Sequence, residues 1–165
     1  MTEDVREKNV EAFLDAIAMF ESAPGPAGYR TLYGGSLWKG DLSAHPAEQD
    51  WPGVYLPPEM CKRAGIRPPC KSTAAGRYQF RLATWLDAKH ALGLTDFEPD
   101  SQDRAATWLI AKNDALQCVE SGDFNRAIQL CRNTWASMPG NTDGQGSHDI
   151  DRWRSIYSSA GGEFT

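Results

Sequence analysis

The feature that most constrains this chain is an amphipathic helix that stops abruptly. Apolar residues recur at helical spacing through residues 4–21, on a stripe made of Val10, Leu14 and Ile17. This spacing keeps them on one face of an α-helix. Pro24 and Pro26 follow at once, and proline cannot continue a helix because it has no backbone N–H to donate. The sequence therefore predicts a helix that ends near residue 21 and buries one face.

Glu21 is the last residue of the predicted helix, where a carboxylate is least favoured. At about 100° per residue it continues the apolar stripe, so its side chain is predicted to face the interior or the edge of a cleft. Burial and the negative helix end both raise a carboxyl pKa, and a general acid needs a raised pKa. A solvated glutamate explains the same position, and on spacing alone that simpler interpretation is preferred.

Length and composition predict one folded domain over residues 1–165. A chain of 165 residues is long enough to bury one hydrophobic core but too short for two domains of ordinary size. The formal net charge of −5 argues against nucleic acid as a partner, because that binding depends on a basic surface. No apolar run suits a membrane span, and the charged N-terminus does not resemble a secretory signal. We therefore expect synthesis in the cytosol without membrane insertion.

The four cysteines and three histidines are scattered along the chain and predict no metal site. No two cysteines have the close spacing of a zinc ligand pair. Cys118 and Cys131 fall in helical patterns and are predicted to be buried thiols. Cys61 and Cys70 flank a loop, where the sequence is compatible with a disulfide or with two thiols.

The remaining pattern predicts a mostly helical α+β fold. Two aromatic-rich runs in residues 29–38 flank Gly34 and Gly35, which is typical of a β-hairpin. Residues 44–70 contain six of the ten prolines and are predicted to form a long surface loop. Caps and apolar spacing then predict four more helices, one that ends at Gly93 and three over residues 100–116, 123–135 and 147–160. The hairpin would form a flap or second lobe beside the helices.

Single residues outside the first helix give weaker signals. Asp41 follows the hairpin and is either a cleft residue or an exposed loop acid. Tyr78 and Gln79 are explained equally well as ligand contacts and as an ordinary helix start. Most of the six tryptophans lie on helical stripes and are predicted to be core residues. The sequence has no glycine-rich phosphate loop and no nucleophile elbow, so nucleotide and serine-hydrolase chemistry are not predicted.

Five short segments follow one another in a characteristic order. They read Ala12-Phe-Leu-Asp-Ala-Ile-Ala-Met-Phe-Glu21, Tyr33-Gly-Gly-Ser-Leu-Trp38, Lys71-Ser-Thr-Ala-Ala-Gly-Arg-Tyr-Gln79, Ser101-Gln-Asp103, and Trp135-Ala-Ser-Met-Pro-Gly140 with Gly144-Gln145. Each is modest alone, but together and in this order they resemble the lambda-type phage endolysins. The resemblance covers residues 10–162.

The resemblance implies a lysozyme-like fold with two lobes, a helical body and a small β-hairpin lobe, and a saccharide cleft between them. It implies a peptidoglycan lytic transglycosylase, which cleaves the β-1,4 bond between N-acetylmuramic acid and N-acetylglucosamine and leaves a 1,6-anhydro end. Glu21 would be the catalytic acid and base, and no metal or organic cofactor is implied. Substrate contacts are expected at Ser22, Asp41, Tyr78, Gln79 and Gln145.

The position nine residues after Glu21 separates two chemistries. Helical phage muramidases have a pattern of Glu, then Asp or Cys nine residues on, then Thr fifteen on. Arg30 and Ser36 occupy those places here. Ordinary glycosidases use two carboxylates, and a cation replaces the second one, so a transglycosylase with a single glutamate is favoured. A hydrolytic muramidase on the same scaffold and a non-catalytic glycan-binding module are the alternatives.

Two departures from the family pattern affect the expected site. Asp143 stands where the family has a Tyr two residues before Gln145, which weakens one expected sugar contact. Residues 47–70 are longer than their lambda-type counterpart by about a dozen residues and form either a lid over the cleft or plain surface.

Peptidoglycan is the expected partner, and a monomer is expected to act on it. As an endolysin the protein would wait in the host cytoplasm until a holin or a similar pore lets it reach the wall. A tail-associated or secreted wall enzyme is equally compatible with the sequence.

Overall fold

The computed structural model describes residues 1–141 and 149–165, which are mostly helical. The α-helices are α1 (Glu3–Glu21), α2 (Pro58–Arg63), α3 (Leu82–Leu92), α4 (Pro99–Lys112), α5 (Leu116–Ser121), α6 (Phe124–Cys131) and α7 (Ile150–Ser159). Two strands, β1 (Val54–Tyr55) and β2 (Lys71–Ser72), pair antiparallel, and 3-10 helices cover Gly25–Arg30 and Pro46–Glu48. The predicted mostly helical α+β class is confirmed. No helix in the described residues is long and apolar enough to cross a membrane.

The chain forms two compact units. The first unit comprises Met1–Phe20 and Ala106–Thr165, and the second unit comprises Glu21–Ala105. The boundaries fall inside two helices, after Phe20 in α1 and after Ala105 in α4. The single domain over residues 1–165 stays a prediction.

Aromatic side chains form the core of the first unit. α1 buries Leu14 and Ile17 of the predicted stripe, and Phe13 beside them packs edge-on against Phe124 with 5.9 Å between ring centroids. The Phe124 ring lies 4.7 Å from that of Tyr157 in α7. Burial of large apolar side chains is the main favourable contribution to folding, so this core follows from the periodic pattern of its helices.

The core of the second unit combines aromatic rings with a buried histidine. Trp85 of α3 packs edge-on against Phe97 at 4.6 Å, and the His45 ring lies 5.0 Å from the same phenylalanine. His45 Nε2 hydrogen-bonds the Phe80 carbonyl oxygen at 2.8 Å, while Nδ1 accepts from the Ala47 N–H at 3.1 Å. Burial lowers the pKa of His45, which keeps the imidazole neutral.

The hairpin predicted over residues 29–38 is only partly formed. Its turn exists, because the Leu32 N–H donates to Ser36 O at 2.8 Å and Thr31 bridges to Leu37. The prediction of a strand at the start of the hairpin is wrong, because Tyr29 and Arg30 belong to a 3-10 helix. Proline inside that segment fixes φ near the helical value and removes a ladder donor, which favours the helix over a strand.

The two-stranded sheet instead lies in the segment that the sequence predicts as surface loop. Val54 pairs with Ser72 and Tyr55 with Lys71, and α2 lies between the strands. A disulfide joins Cys61 to Cys70, the pairing that the sequence left open. Strands of two residues flanked by prolines have no alternation to detect, so the sequence pattern could not reveal them.

The helix predicted over residues 100–116 is two helices. α4 ends at Lys112, and α5 starts at Leu116. Between them Asp114 adopts a left-handed conformation with φ of 58°, and the Ala115 N–H donates back to Ile110 O at 3.1 Å. A left-handed residue of this kind ends a helix even without glycine, which explains why the apolar spacing did not reveal the break.

Candidate functional site

Glu21 is the last residue of α1 and the first residue of the second unit. It is half-buried, as its place at the end of the apolar stripe predicts. The last turn of α1, all of it described, contains no basic residue, so the helix itself supplies no cation to offset the negative helix end. The sequence thus keeps an acid at an unfavourable place on its longest helix.

Close packing and one hydroxyl hold the backbone directly after Glu21. A Cβ added to Gly28 would lie 2.7 Å from the Ala23 carbonyl oxygen and 3.0 Å from Ser22 Oγ. Thr31 Oγ1 accepts a hydrogen bond from the Ala23 N–H at 3.1 Å. The chain therefore folds back on itself after α1, and half-buried Ser22, a predicted substrate contact, lies against Gly28.

Arg30, which replaces the carboxylate of the muramidase pattern, fastens a loop. Its Nη1 donates to Gly40 O at 2.7 Å and to Trp38 O at 3.4 Å. An arginine does not lose its proton in a protein and has no acceptor atom. This position therefore offers neither a base nor a nucleophile, and its charge is used to order the backbone that leads to Asp41.

Asp41 is an exposed carboxylate in the loop after the hairpin turn, and its role as a substrate contact stays a prediction. Its Oδ1 accepts hydrogen bonds from the Ser43 hydroxyl and from the Ser43 N–H, the latter at 3.0 Å. The Ser43 hydroxyl, followed by the Ser43 N–H, holds the pKa of Asp41 below its usual range. An acid that is ionised and engaged by its own loop suits a binding contact better than a proton donor.

Gln79 stands in a tight turn rather than at a helix start. Its φ is 51°, in the left-handed region that non-glycine residues rarely adopt, and α3 begins three residues later at Leu82. Its Nε2 donates to Thr31 O at 3.0 Å and to Gly76 O at 2.9 Å. The side chain thereby ties this turn to the segment after Glu21, which helps the structure hold an uncommon backbone conformation.

Gln102 of α4 is fully buried and joins three backbone segments. Its Nε2 donates to Tyr29 O at 3.1 Å and to Phe97 O at 2.7 Å. Its Oε1 accepts from the Arg77 N–H at 2.9 Å, and it lies so close to Gly76 that no side chain would fit there. With its amide satisfied in this way, Gln102 sets the position of the turn that contains Gln79.

Asp103 accepts hydrogen bonds from two tyrosine hydroxyls. Tyr29 OH donates to its Oδ1 at 2.9 Å and Tyr78 OH donates to the same oxygen at 2.6 Å, while Arg77 Nη1 donates to Tyr78 OH at 2.6 Å. Burial, and then the hydrogen bond and negative charge of Asp103, raise the pKa of both tyrosines. Both phenols therefore stay protonated and act as donors to the carboxylate.

Tyr78, a predicted substrate contact, has no exposed surface in this structure. Its hydroxyl is occupied by Asp103 and Arg77, and the Arg77 guanidinium lies 5.3 Å from the centre of its ring. Tyr78 is thus placed to orient Arg77 rather than to meet a ligand directly. All the predicted substrate contacts, Tyr78 included, stay predictions.

A cavity of about 530 Å³ opens beside this cluster within the second unit. Its walls combine three charged side chains with apolar ones: Gly25, Pro26, Tyr29, Arg30, Leu42, Arg77, Glu98 and Pro99. Pockets of this size with a few fixed polar groups are typical of ligand sites. Gly25 and Pro26, which lie four and five residues after Glu21, therefore line this cavity.

Gln145 and Asp143 lie outside the described residues. Within the described part of the chain, no group of three or more His, Cys, Asp or Glu side chains could hold a metal ion.

The sequence analysis did not predict the residues whose hydrogen bonds hold the segments of the site together. They are chiefly Thr31, Arg77, Gln102 and Asp103. One signal was available for Gln102, because it continues the apolar spacing of Ala105, Ala106 and Leu109 on α4. A polar residue on a buried face needs hydrogen-bond partners. Nothing in the local pattern of Thr31 or Arg77 marks the long-range contacts that they make.

Comparison with known proteins gives consistent matches over nearly the whole chain. The family model named Endolysin matches residues 11–164. The endolysin of Escherichia phage lambda is 38% identical over 159 residues, which cover 92% of this chain and 90% of that protein. The endolysin of Escherichia phage P2 is 37% identical over 164 residues, 94% of each chain.

Solved structures match as well. Bacteriophage lambda lysozyme complexed with a chitohexasaccharide has a TM-score of 0.77 and 33% identity, covering 96% of this chain and 97% of that one. A second structure, lysozyme from bacteriophage lambda, has a TM-score of 0.75 with the same identity and coverage.

Proposed function

The chain belongs to the endolysin family and has the lambda lysozyme fold, and from this premise we propose that it is a peptidoglycan lytic transglycosylase. The family and the fold are those predicted from the five sequence segments. The proposed substrate is the glycan strand, cut at the β-1,4 bond between N-acetylmuramic acid and N-acetylglucosamine. The saccharide bound to the lambda lysozyme of the comparison supports a glycan substrate for this chain.

Glu21 carries the proposed chemistry. Its carboxylic acid donates a proton to the glycosidic oxygen as the bond to the muramoyl C1 breaks. The carboxylate that remains accepts the proton of the muramoyl 6-hydroxyl while that oxygen bonds to C1. The product is a 1,6-anhydro end, Glu21 regains its proton, and no water is consumed. One residue therefore serves as acid and then as base.

The observation that carries this proposal is the place of Glu21 at the end of α1. The residue is half-buried and is the last residue of α1, which is the place that the sequence pattern predicts for a general acid. Gly28 and Thr31 hold the backbone that follows, so the carboxyl group is presented from an ordered segment. Fixed geometry of this kind is what a general acid needs.

The case for a single carboxylate comes from Arg30 and Asp41. Arg30 stands where a hydrolase would need a second acid, and its guanidinium is bound to loop carbonyls. Asp41 is engaged by the Ser43 hydroxyl and N–H in an exposed loop. Inverting and retaining glycosidases both require two carboxylates across the scissile bond. Neither Arg30 nor Asp41 favours a second catalytic carboxylate here.

The test is mass spectrometry of purified sacculi digested by the wild type and by Glu21→Gln. The wild type is expected to release muropeptides lighter by one water than the products of a hydrolytic muramidase. Glu21→Gln keeps the shape of the side chain but cannot donate the proton, so its rate is expected to fall by about 100-fold or more.

Each other outcome has a definite meaning. Products with reducing ends would establish a hydrolytic muramidase and overturn the transglycosylase. Full activity of Glu21→Gln would remove the catalytic role of Glu21. Wild-type protein that binds sacculi and releases nothing would be a non-catalytic glycan-binding module.

We also propose where the protein acts. It would accumulate in the host cytoplasm as a monomer and reach the wall through a holin-type pore. The Cys61–Cys70 disulfide supports action outside the cytosol, because such bonds persist in oxidising compartments. Trapping thiols in cell fractions tests the route: the bond should be absent before lysis and present in protein recovered from the wall.

A further inference from the structure

The segment of residues 54–72 has a charge opposite to that of the rest of the chain. It contains four basic residues, Lys62, Arg63, Arg67 and Lys71, and one acid, Glu59. The other 13 basic and 21 acidic residues leave the remainder strongly negative. A local charge that opposes the whole indicates a surface suited to an anionic partner.

The 54–72 segment is an ordered part of the second unit. β1 and β2 pair at its base, and the Leu56 N–H donates to Cys70 O at 2.9 Å. The Cys61–Cys70 disulfide closes the loop, with Cys61 fully buried. The backbone that carries its cations is therefore ordered before any ligand arrives, which reduces the entropy lost on binding.

The cationic side chains lie on the outside. Lys62, Arg67 and Lys71 are all exposed, and the Lys71 ammonium lies 4.7 Å from the centre of the Tyr55 ring. Tyr55 is 65% exposed and Ile66 is 51% exposed, so apolar surface accompanies the charges. A surface with both properties suits a ligand that carries carboxylates on a partly apolar chain.

We propose that the 54–72 segment binds the carboxylates of peptidoglycan stem peptides. This proposal rests on the proposed function, because peptidoglycan is the polymer that the enzyme must hold. Stem peptides repeat along the glycan strand and carry free carboxylates beside short apolar side chains. The net charge of −5 repels such a polymer, and the 54–72 segment supplies the local attraction that offsets this repulsion.

The test measures binding in the Glu21→Gln background, so that turnover does not enter. One sample of sacculi is left native, and a second has its carboxylates converted to neutral amides. The Lys62→Glu/Arg67→Glu variant is expected to bind native sacculi about tenfold more weakly at low salt, because two exposed cations become anions. It should bind the amidated sacculi as well as its parent does.

A matched control separates position from net charge. Arg81→Glu/Arg104→Glu makes the same change in charge at two exposed residues of the second unit. It is expected to lose far less affinity for native sacculi. Equal losses by the two variants, or a loss that persists on amidated sacculi, would overturn the proposal. Thermal unfolding of both variants should match that of the parent.

Vesicles of phosphatidylglycerol form the third arm. If they bind the Glu21→Gln protein more strongly than native sacculi do, and the Lys62→Glu/Arg67→Glu change abolishes that binding, the surface serves a membrane and the proposal fails. The proposed function is tested separately, and it fails if the active enzyme releases products with reducing ends. If the enzyme forms anhydro ends but binds native and amidated sacculi equally well, the proposed function stands and the stem-peptide proposal fails.

Discussion

The two units of this molecule are built on different interactions. In the first unit the core consists of aromatic rings, with Phe124 in contact with Phe13, Tyr157 and Phe164. In the second unit polar side chains are buried as well. Of the seven buried polar side chains in the described residues, five belong to the second unit: Thr31, His45, Ser72, Ser101 and Gln102. The first unit therefore contributes mainly stability, and the second holds a particular backbone geometry around the candidate site.

Phe124→Ala should produce the largest effect on stability. The side chain is almost fully buried, and its removal leaves a cavity among aromatic rings, so we expect a loss of about 3–5 kcal/mol in the free energy of unfolding. Urea denaturation measures this loss. Activity per folded molecule should not change, and Phe124→Leu should lose less stability. A fall in the activity of folded Phe124→Ala would break the comparison between the units.

Tyr78→Phe should lower stability less than Phe124→Ala does, and it should lower activity more. It removes the hydroxyl that links Arg77 to Asp103, at a cost of about 1–3 kcal/mol. Turnover is expected to fall about tenfold, because Arg77 loses the group that orients it beside the cavity. Initial rates on purified sacculi measure this fall.

Tyr157→Phe is the matched control in the first unit. It removes a hydroxyl that donates to Glu163 O at 3.2 Å from a side chain that is also buried. Stability should fall by about 1 kcal/mol, with activity per folded molecule retained. If the two tyrosine variants reduce activity equally, the polar cluster has no special connection with the site.

His45 should give the second unit a small dependence of stability on pH. Burial lowers the pKa of the folded-state imidazole, whereas the unfolded chain titrates near 6.5. The unfolded state therefore binds the extra proton first as pH falls, and stability decreases below about pH 6.5 by at most about 1.4 kcal/mol per pH unit. Above that pH the group makes no difference. Denaturation midpoints from pH 8 to 5 should show this slope in the wild type and not in His45→Gln.

The sequence allowed prediction wherever burial followed a helical period. Leu14 and Ile17 on α1, the place of Glu21 and the buried thiol Cys131 were predicted correctly, whereas Val10 and Cys118 are only partly buried. Two-residue strands and a left-handed Asp114 produce no period, so β1, β2 and the break after α4 were not predicted. The contacts of Gln79, Gln102 and Asp103 join segments far apart in sequence, and no local pattern records them.

The most direct test of the central claim is digestion of sacculi in water enriched in oxygen-18. Cleavage by Glu21 alone transfers the 6-hydroxyl oxygen of the sugar itself to C1, so the wild type should yield anhydro ends that carry no heavy oxygen. Heavy oxygen at C1 of the released muropeptides would mean that water attacks the sugar. That result would contradict a single-glutamate transglycosylase.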